Sequence, residues 1–205
     1  MKTIALTGSI GMGKTTTVAM FKDMGVPIWD ADSAVHRLYD VNGAAVGAVS
    51  KLFPEVLTPE GSINRDILAK RVLGNVEELT ALEAIVHPLV GQDRALFLDQ
   101  ERVKGSKLVI LDVPLLFETG GQAYVEGIIV VSCHSDLQRA RVLARPGMTE
   151  AKFQAILARQ MPDAEKRERA DFLITTDTGL DDTREQVGKV YSQVMADADL
   201  QSDPN

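Results

Sequence analysis

Residues 8–15, Gly8-Ser9-Ile10-Gly11-Met12-Gly13-Lys14-Thr15, set glycines, an amine and a hydroxyl at the spacing G-x-x-x-x-G-K-[ST]. That pattern suits the binding of a polyphosphate. Gly8, Gly11 and Gly13 let the backbone curl until successive N–H groups point at one set of oxygens. Lys14 can reach the β- and γ-phosphates, and the Thr15 hydroxyl is a hard oxygen suited to Mg²⁺. Met12 fills a variable position of the loop, and Thr16 follows on the outgoing segment. The apolar run Thr3–Thr7 before the loop and Thr16–Phe21 after it predict strand, loop and helix, whose N-terminus adds positive potential. A glycine-rich turn with a solvated lysine is the alternative.

A second set of residues could act on a bound nucleotide. The second apolar run ends at Asp30-Ala31-Asp32. Ligands of wound α/β sheets collect at such strand ends, so this run is expected beside the phosphate loop. An alcohol acceptor has a high pKa and gains from a carboxylate that takes its proton, a task assigned to Asp32. One of the two aspartates is expected to cap the helix Ser33–Leu38. Asp112 follows Leu108–Leu111 and is the candidate for Mg²⁺ through water. Arg141 and Arg145 stand four apart, so on a helix they share a face and could grip the same phosphates. Asp32, Lys14 and Arg141 are therefore the catalytic candidates. Gly8, Gly11, Met12, Gly13, Lys14, Thr15, Thr16 and Arg145 form the nucleotide set, with Thr15 and Asp112 as the metal pair.

Composition limits the setting. The 205 residues are 45% hydrophobic and 25% charged, with a formal net charge of −7. That balance opposes a general nucleic-acid binder, which needs broad basic surface. No apolar run approaches the ~18 residues of a membrane span. The chain opens on a strand without a signal pattern. Its one cysteine, Cys133, follows Ile128–Ser132 and reads as a buried strand-end thiol, which suits a reducing cytoplasm. Residues 135–170 carry eight bases against five acids, net +3, whereas the residues from 176 onward carry net −5. A basic island in an acidic chain fits a specific polyanion site.

These residues need a scaffold. Short β-branched runs at Val26–Trp29, Leu108–Leu111, Ile128–Val131 and Phe172–Ile174 join the first strand in an α/β fold with a parallel five-stranded sheet. Leu180, Arg184, Val187, Val190, Tyr191 and Val194 pattern a closing helix, and the polar tail after Asp197 is expected to fray. The core is expected at about 1–31, 106–135 and 170–197. A helical acceptor-binding subdomain at about 32–105 is broken at Asn42-Gly43, Pro54, Pro59-Glu60-Gly61 and His87-Pro88. A helical lid spans about 136–168.

Among phosphate-loop proteins, a GTPase would carry Asn-Lys-x-Asp and an Asp-x-x-Gly switch, and neither follows here. A motor or transporter subunit would be larger and carry coupling elements. A small-molecule kinase needs an acceptor site and a lid that excludes water, which the two insertions supply. Taken together, Leu6–Thr15, Asp30-Ala31-Asp32, Gly61 with Arg65 and Leu68, His87-Pro88-Leu89, Asp112–Glu118, Gln138 with Arg141 and Arg145, Arg159-Gln160 and Ala170-Asp171 make the chain resemble the dephospho-CoA kinases. That resemblance implies a P-loop core, a helical CoA domain and a lid. It implies ATP with Mg²⁺ as donor and dephospho-CoA as acceptor, phosphorylated on its ribose 3′-hydroxyl. It also implies Asp32 as base, Arg65 and His87 on the acceptor side, and Pro114, Leu115 and Leu116 as part of the acceptor wall. By themselves, His87 reads as the cap of a Pro-initiated helix and Arg65 as a solvated helix residue. Met12, Pro146-Gly147 and Thr175-Thr176 depart from the usual family pattern, the last where an Asn often lies near the adenine. Kinase action on another small alcohol or nucleoside, and a nucleotide-dependent switch, are the rival readings.

Overall fold

Buried β-branched runs build the sheet. The strands are β1 (Lys2–Thr7), β2 (Ile28–Asp30), β3 (Leu108–Asp112), β4 (Gly127–Ser132) and β5 (Phe172–Thr175). The computed structural model describes residues 1–200, with side chains described through residue 196. Every residue of β3 and β4 is buried, the signature of strands covered on both faces. Side chains alternate along β1: Ile4 and Leu6 meet Met20, Phe21, Val187 and Val190 on one face. Ala5 meets Leu116, Phe117, Ile128 and Val130 on the other.

The strand order is β2-β3-β1-β4-β5. β1 pairs in parallel with β3, Leu6 opposite Asp112, and with β4, Thr7 opposite Val130. β4 pairs in parallel with β5. The second strand is thus not the neighbour of the phosphate-loop strand, contrary to the sequence expectation. β3 lies between them, and its last residue, Asp112, sits in register beside the end of β1.

Residues 30–100 form one compact unit, and the remainder of the chain forms another. In the first, α2 (Ala31–Tyr39), α3 (Val46–Leu52), a 3-10 turn (Pro54–Val56), α4 (Arg65–Val72) and most of α5 (Val76–Val103) surround Leu38, Val49, Phe53, Val56, Leu68, Leu82 and Val86. The expected breaks at Asn42-Gly43 and Pro59–Gly61 fall between these elements, and Pro54 opens the 3-10 turn that follows α3. The break at His87-Pro88 does not occur, because α5 continues through Pro88. Proline forfeits one helical hydrogen bond, yet burial of Leu82 and Val86 on the core side of the same helix holds the segment together.

In the second unit, α1 (Lys14–Asp23) and α9 (Leu180–Leu200) cover one face of the sheet. Leu180 itself is 62% exposed, so the buried stripe of α9 starts only further along the helix. α9 runs past Asp197, where fraying was expected, and residues 201–205 lie outside the described residues. The basic segment forms α6 (Ser135–Leu143), α7 (Glu150–Leu157) and α8 (Asp163–Glu168). Among the described residues, no helix is long and apolar enough to cross a membrane.

One ion pair in this unit joins a fully buried lysine to a carboxylate at the surface. Lys166 of α8 is fully buried, and its Nζ lies 2.8 Å from Glu118 Oε1. The Met161 N–H donates to the same oxygen at 2.7 Å. Burial alone would raise the Glu118 carboxyl, but the bonds from Lys166 and Met161 outweigh it and hold the group below the ordinary range. Lys166→Met leaves Glu118 at an exposed position where water can serve it, so the change should cost only about 1–2 kcal/mol, the order of one hydrogen bond to a charged group. Urea unfolding at neutral pH measures this. Because the folded pKa of Glu118 is lowered, its contribution is complete above the unfolded value of about 4.3 and is lost as pH falls through the folded value. The stability gap between wild type and Lys166→Met should therefore narrow in acid.

Candidate active site

The loop from Gly8 to Gly13 joins β1 to α1, and its glycines are demanded by what surrounds them. Gly11 and Gly13 have φ of +80° and +94°, where side chains are strained. A Cβ on Gly8 would lie 2.6 Å from the Val131 carbonyl oxygen, and one on Gly13 would lie 2.9 Å from Thr176 Cγ2. Gly13 is the N-cap of α1 and has no side chain to cap it. The first intrahelical donor is the Thr17 N–H, bonded to the Gly13 carbonyl at 3.1 Å. The N–H groups of Lys14, Thr15 and Thr16 therefore stand at the helix start without intrahelical acceptors, the arrangement that receives phosphate oxygens.

The back of the loop is held by side chains from distant segments. Gln138 Nε2 donates to the Ile10 carbonyl at 2.8 Å, and the Ile10 N–H donates to Gln160 Oε1 at 3.1 Å. Thr176 Oγ1 donates to the Met12 carbonyl at 2.9 Å, and the Cys133 N–H meets Met12 Sδ at 3.1 Å. The Met12 N–H itself donates to the Ser9 carbonyl at 3.2 Å. Met12, grouped with the nucleotide set on spacing, is 2% exposed and directs its polar groups into the protein. It shapes the cradle instead of offering it a free donor. Cys133 is buried, as expected, and burial pushes its thiol pKa up, which suits packing and not nucleophilic chemistry.

Lys14 Nζ lies 2.6 Å from Asp112 Oδ1, and both side chains are mostly buried. A cation is thereby fixed at the loop, with a carboxylate beside it. Thr15 is exposed at the start of α1. A hydroxyl and a carboxylate are hard oxygen donors of the kind Mg²⁺ takes, and this ion usually keeps waters and phosphate oxygens as its other ligands. Among the described residues, no cluster of three His, Cys, Asp or Glu forms a full protein cage. The pair Thr15 and Asp112 fits a metal carried in with its nucleotide.

The two arginines diverge. Arg141 lies on α6, and its Nη1 and Nη2 donate to Thr176 Oγ1 and to the Thr176 carbonyl, each at 2.7 Å. α6 stops at Leu143, so Arg145 stands exposed beyond the helix and does not share a helical face with Arg141. Pro146 accounts for this, because a residue before proline is disfavoured in helical geometry.

In the unit of residues 30–100, Asp30 is the helix cap: its Oδ1 accepts from the Ser33 N–H at 2.5 Å. Asp32 sits exposed in the first turn of α2. Arg65 opens α4 after its cap Asn64, and its guanidinium meets His36 Nε2. His87 is exposed within α5, so it does not cap a Pro-initiated helix. Of the expected acceptor wall, Pro114 is half-buried and Leu115 is 41% exposed, but Leu116 is 1% exposed and belongs to the core. The carbonyl of Pro114 accepts from Thr7 Oγ1 at 3.2 Å, which binds this turn to the end of β1.

Sequence reading had no role for Thr176, Gln138 or Gln160 in bracing the loop. Their partners lie 128 to 164 residues away, beyond any local pattern. Only the company of Gln138 with Arg141, and of Gln160 with Arg159, marked them.

The family model for dephospho-CoA kinase matches residues 2–182. A dephospho-CoA kinase of Mesorhizobium japonicum is 49% identical over 194 residues, 95% of this chain and 97% of that protein. A crystal structure of a Thermus thermophilus protein aligns at 33% identity with a TM-score of 0.81, covering 94% of this chain and 96% of the other. A dephospho-CoA kinase from Campylobacter jejuni aligns at 26% identity with a TM-score of 0.64, covering 94% of this chain and 97% of that one.

The loop geometry predicts a specific suppressor. A Cβ on Gly11 would lie 2.5 Å from Val142 Cγ2 of α6 and 3.0 Å from the Gln138 carbonyl. Gly11→Ala should lose about 1–2 kcal/mol from the left-handed backbone alone, and more from the collision. Adding Val142→Ala should relieve the contact with Cγ2 but neither the close approach to the Gln138 carbonyl nor the backbone part, as read by thermal melting and nucleotide titration of the two variants.

Proposed function

The chain belongs to the dephospho-CoA kinase family, and on that premise we propose how its residues move the γ-phosphoryl group of ATP onto the ribose 3′-hydroxyl of dephospho-CoA, giving CoA and ADP. The observation that carries this reading is the open N-terminus of α1 beside the Lys14–Asp112 pair, a cradle built for a polyphosphate. The loop from Gly8 to Gly13 and the N–H groups of Lys14, Thr15 and Thr16 hold the donor, with Met12 fixing the curvature of the loop. Lys14 follows the β- and γ-phosphates. Thr15, and Asp112 through water, would hold Mg²⁺, which when bound neutralises charge on the phosphate oxygens.

Asp32 takes the proton of the acceptor hydroxyl. Its neighbour Asp30 already serves as the helix cap, which leaves Asp32 for this task. Arg141 neutralises charge spreading onto the transferred group, and Arg145, on the turn beyond α6, adds a second cation. Arg65, His87 and the turn Pro114-Leu115 recognise the acceptor, and Leu116 supports that turn from the core. Residues 136–168 act as the lid and residues 32–105 as the CoA-binding part. A lid matters because ATP in an open site is lost to water. The free, buried Cys133 suits a reducing cytoplasm.

Asp32→Asn should lower kcat by ~10²–10⁴ with ATP affinity nearly unchanged, the range of a general base. Lys14→Ala should remove most activity together with nucleotide affinity. Both are read by following ADP and 3′-phosphorylated product from Mg-ATP and dephospho-CoA. ADP formed equally without acceptor would favour a nucleotide-dependent switch. Product only with another alcohol or a nucleoside would favour a sister kinase.

A further inference from the structure

Thr176 stands just after β5, at a position that invites a reading as a contact of the nucleotide base. Its surroundings point elsewhere. The side chain is buried, 6% exposed, and its hydroxyl is engaged on two sides. It donates to the Met12 carbonyl at 2.9 Å and accepts from Arg141 Nη1 at 2.7 Å. Its carbonyl accepts from Arg141 Nη2 at 2.7 Å, and its N–H is spent on the Ser132 carbonyl at 3.0 Å. Its methyl group fills the space that a side chain at Gly13 would need, 2.9 Å from the position of such a Cβ.

We propose that Thr176 is a positioning residue that locks the Arg141 guanidinium and the phosphate loop into one register. A hydroxyl has a single proton. Given to Met12, it turns the lone pairs toward Arg141, so both bonds form together. Arg141 then reaches the donor phosphates at an angle set by the loop that holds them. A guanidinium carries more N–H donors than Thr176 accepts, so others remain for phosphate oxygens. Gln138, one turn earlier on α6, fastens the same helix to the Ile10 carbonyl and limits rotation of the helix that carries Arg141. The inference rests on Arg141 meeting the donor phosphates, as proposed above.

Thr176→Val keeps the shape, the methyl packing and the carbonyl but removes the hydroxyl. Thr176→Ser keeps the hydroxyl. The Val variant should lose about tenfold to a hundredfold in kcat/KM for ATP, the span of one bond to a charged group, and its melting temperature should fall only by the few degrees that one lost buried bond accounts for, so that it remains folded at assay temperature. The Ser variant should keep most of the activity. Arg141→Lys should lose more than Thr176→Val, and the double variant should lose far less than the product of the two single losses. Wild-type kinetics in Thr176→Val would overturn the inference. Equal loss in Ser and Val would overturn it too, because the fit of the whole side chain and not the bonds of its hydroxyl would then matter, and so would fully multiplicative losses in the double variant. If Arg141→Lys itself proved harmless, the assignment of Arg141 to the phosphates would fail. That outcome is separable from a harmless Thr176→Val beside a damaged Arg141→Lys.

Discussion

Backbone donors kept open for a polyphosphate cannot also stabilise the loop that presents them. An amide left unpaired away from water costs about 1–3 kcal/mol, so such a loop tends to refold upon itself or lose its shape. This chain holds the loop from behind. Two residues of the loop are held this way: Ile10 accepts from Gln138 and donates to Gln160, and Met12 accepts from Thr176 and Cys133, none of which competes for the front. The glycines follow from the same constraint. Gly8 lies against β4, Gly11 against α6 and Gly13 against Thr176, at distances that admit no side chain. Close support from behind and backbone curvature in front are one design requirement, met by residues of both kinds.

Pre-set charge is the second consequence. Lys14 lies against Asp112, and Arg141 against Thr176, before any ligand arrives. Long cationic side chains lose rotamer freedom when they are fixed, and here that loss is met in folding and not in the reaction. The two anchors differ in kind. Asp112 is a charged partner, so the Lys14 amine is held against a carboxylate at the end of β3. Thr176 is a neutral partner that holds the Arg141 guanidinium by its hydroxyl and carbonyl without adding a negative charge.

Local features were legible in the sequence, and features that depend on the return path of the chain were not. The phosphate loop, all the strands and the parallel sheet follow from apolar runs and glycine spacing, because each is a property of a few adjacent residues. The order β2-β3-β1-β4-β5 is not, since crossovers set it. It moved Asp30 away from the loop strand and brought Asp112 beside it. Pro88 reads locally as a helix boundary, yet the buried flank of α5 overrides one missing bond. Pro146 carried the opposite lesson: it marked the end of α6 ahead of Arg145, and equal spacing of the two arginines hid that signal. Leu116 is the plainest case. A leucine in a turn can face a ligand or the core, and only the packing against Ala5, Ile128 and Val130 decides.

Asp30 and Asp32 show how the same side chain divides into two tasks by position alone. The end of β2 delivers Asp30 in extended geometry, with φ of −113°, so its carboxylate can turn back onto the Ser33 N–H and start α2. A carboxylate that accepts a backbone donor in this way is committed, because releasing it costs the helix about 1 kcal/mol of capping. Asp32 is already helical. It sits exposed in the first turn of α2, where an acidic side chain faces the positive end of the helix. Because Asp30 supplies the capping bond to Ser33, that bond is not asked of Asp32, and its carboxylate is left for the role proposed for it.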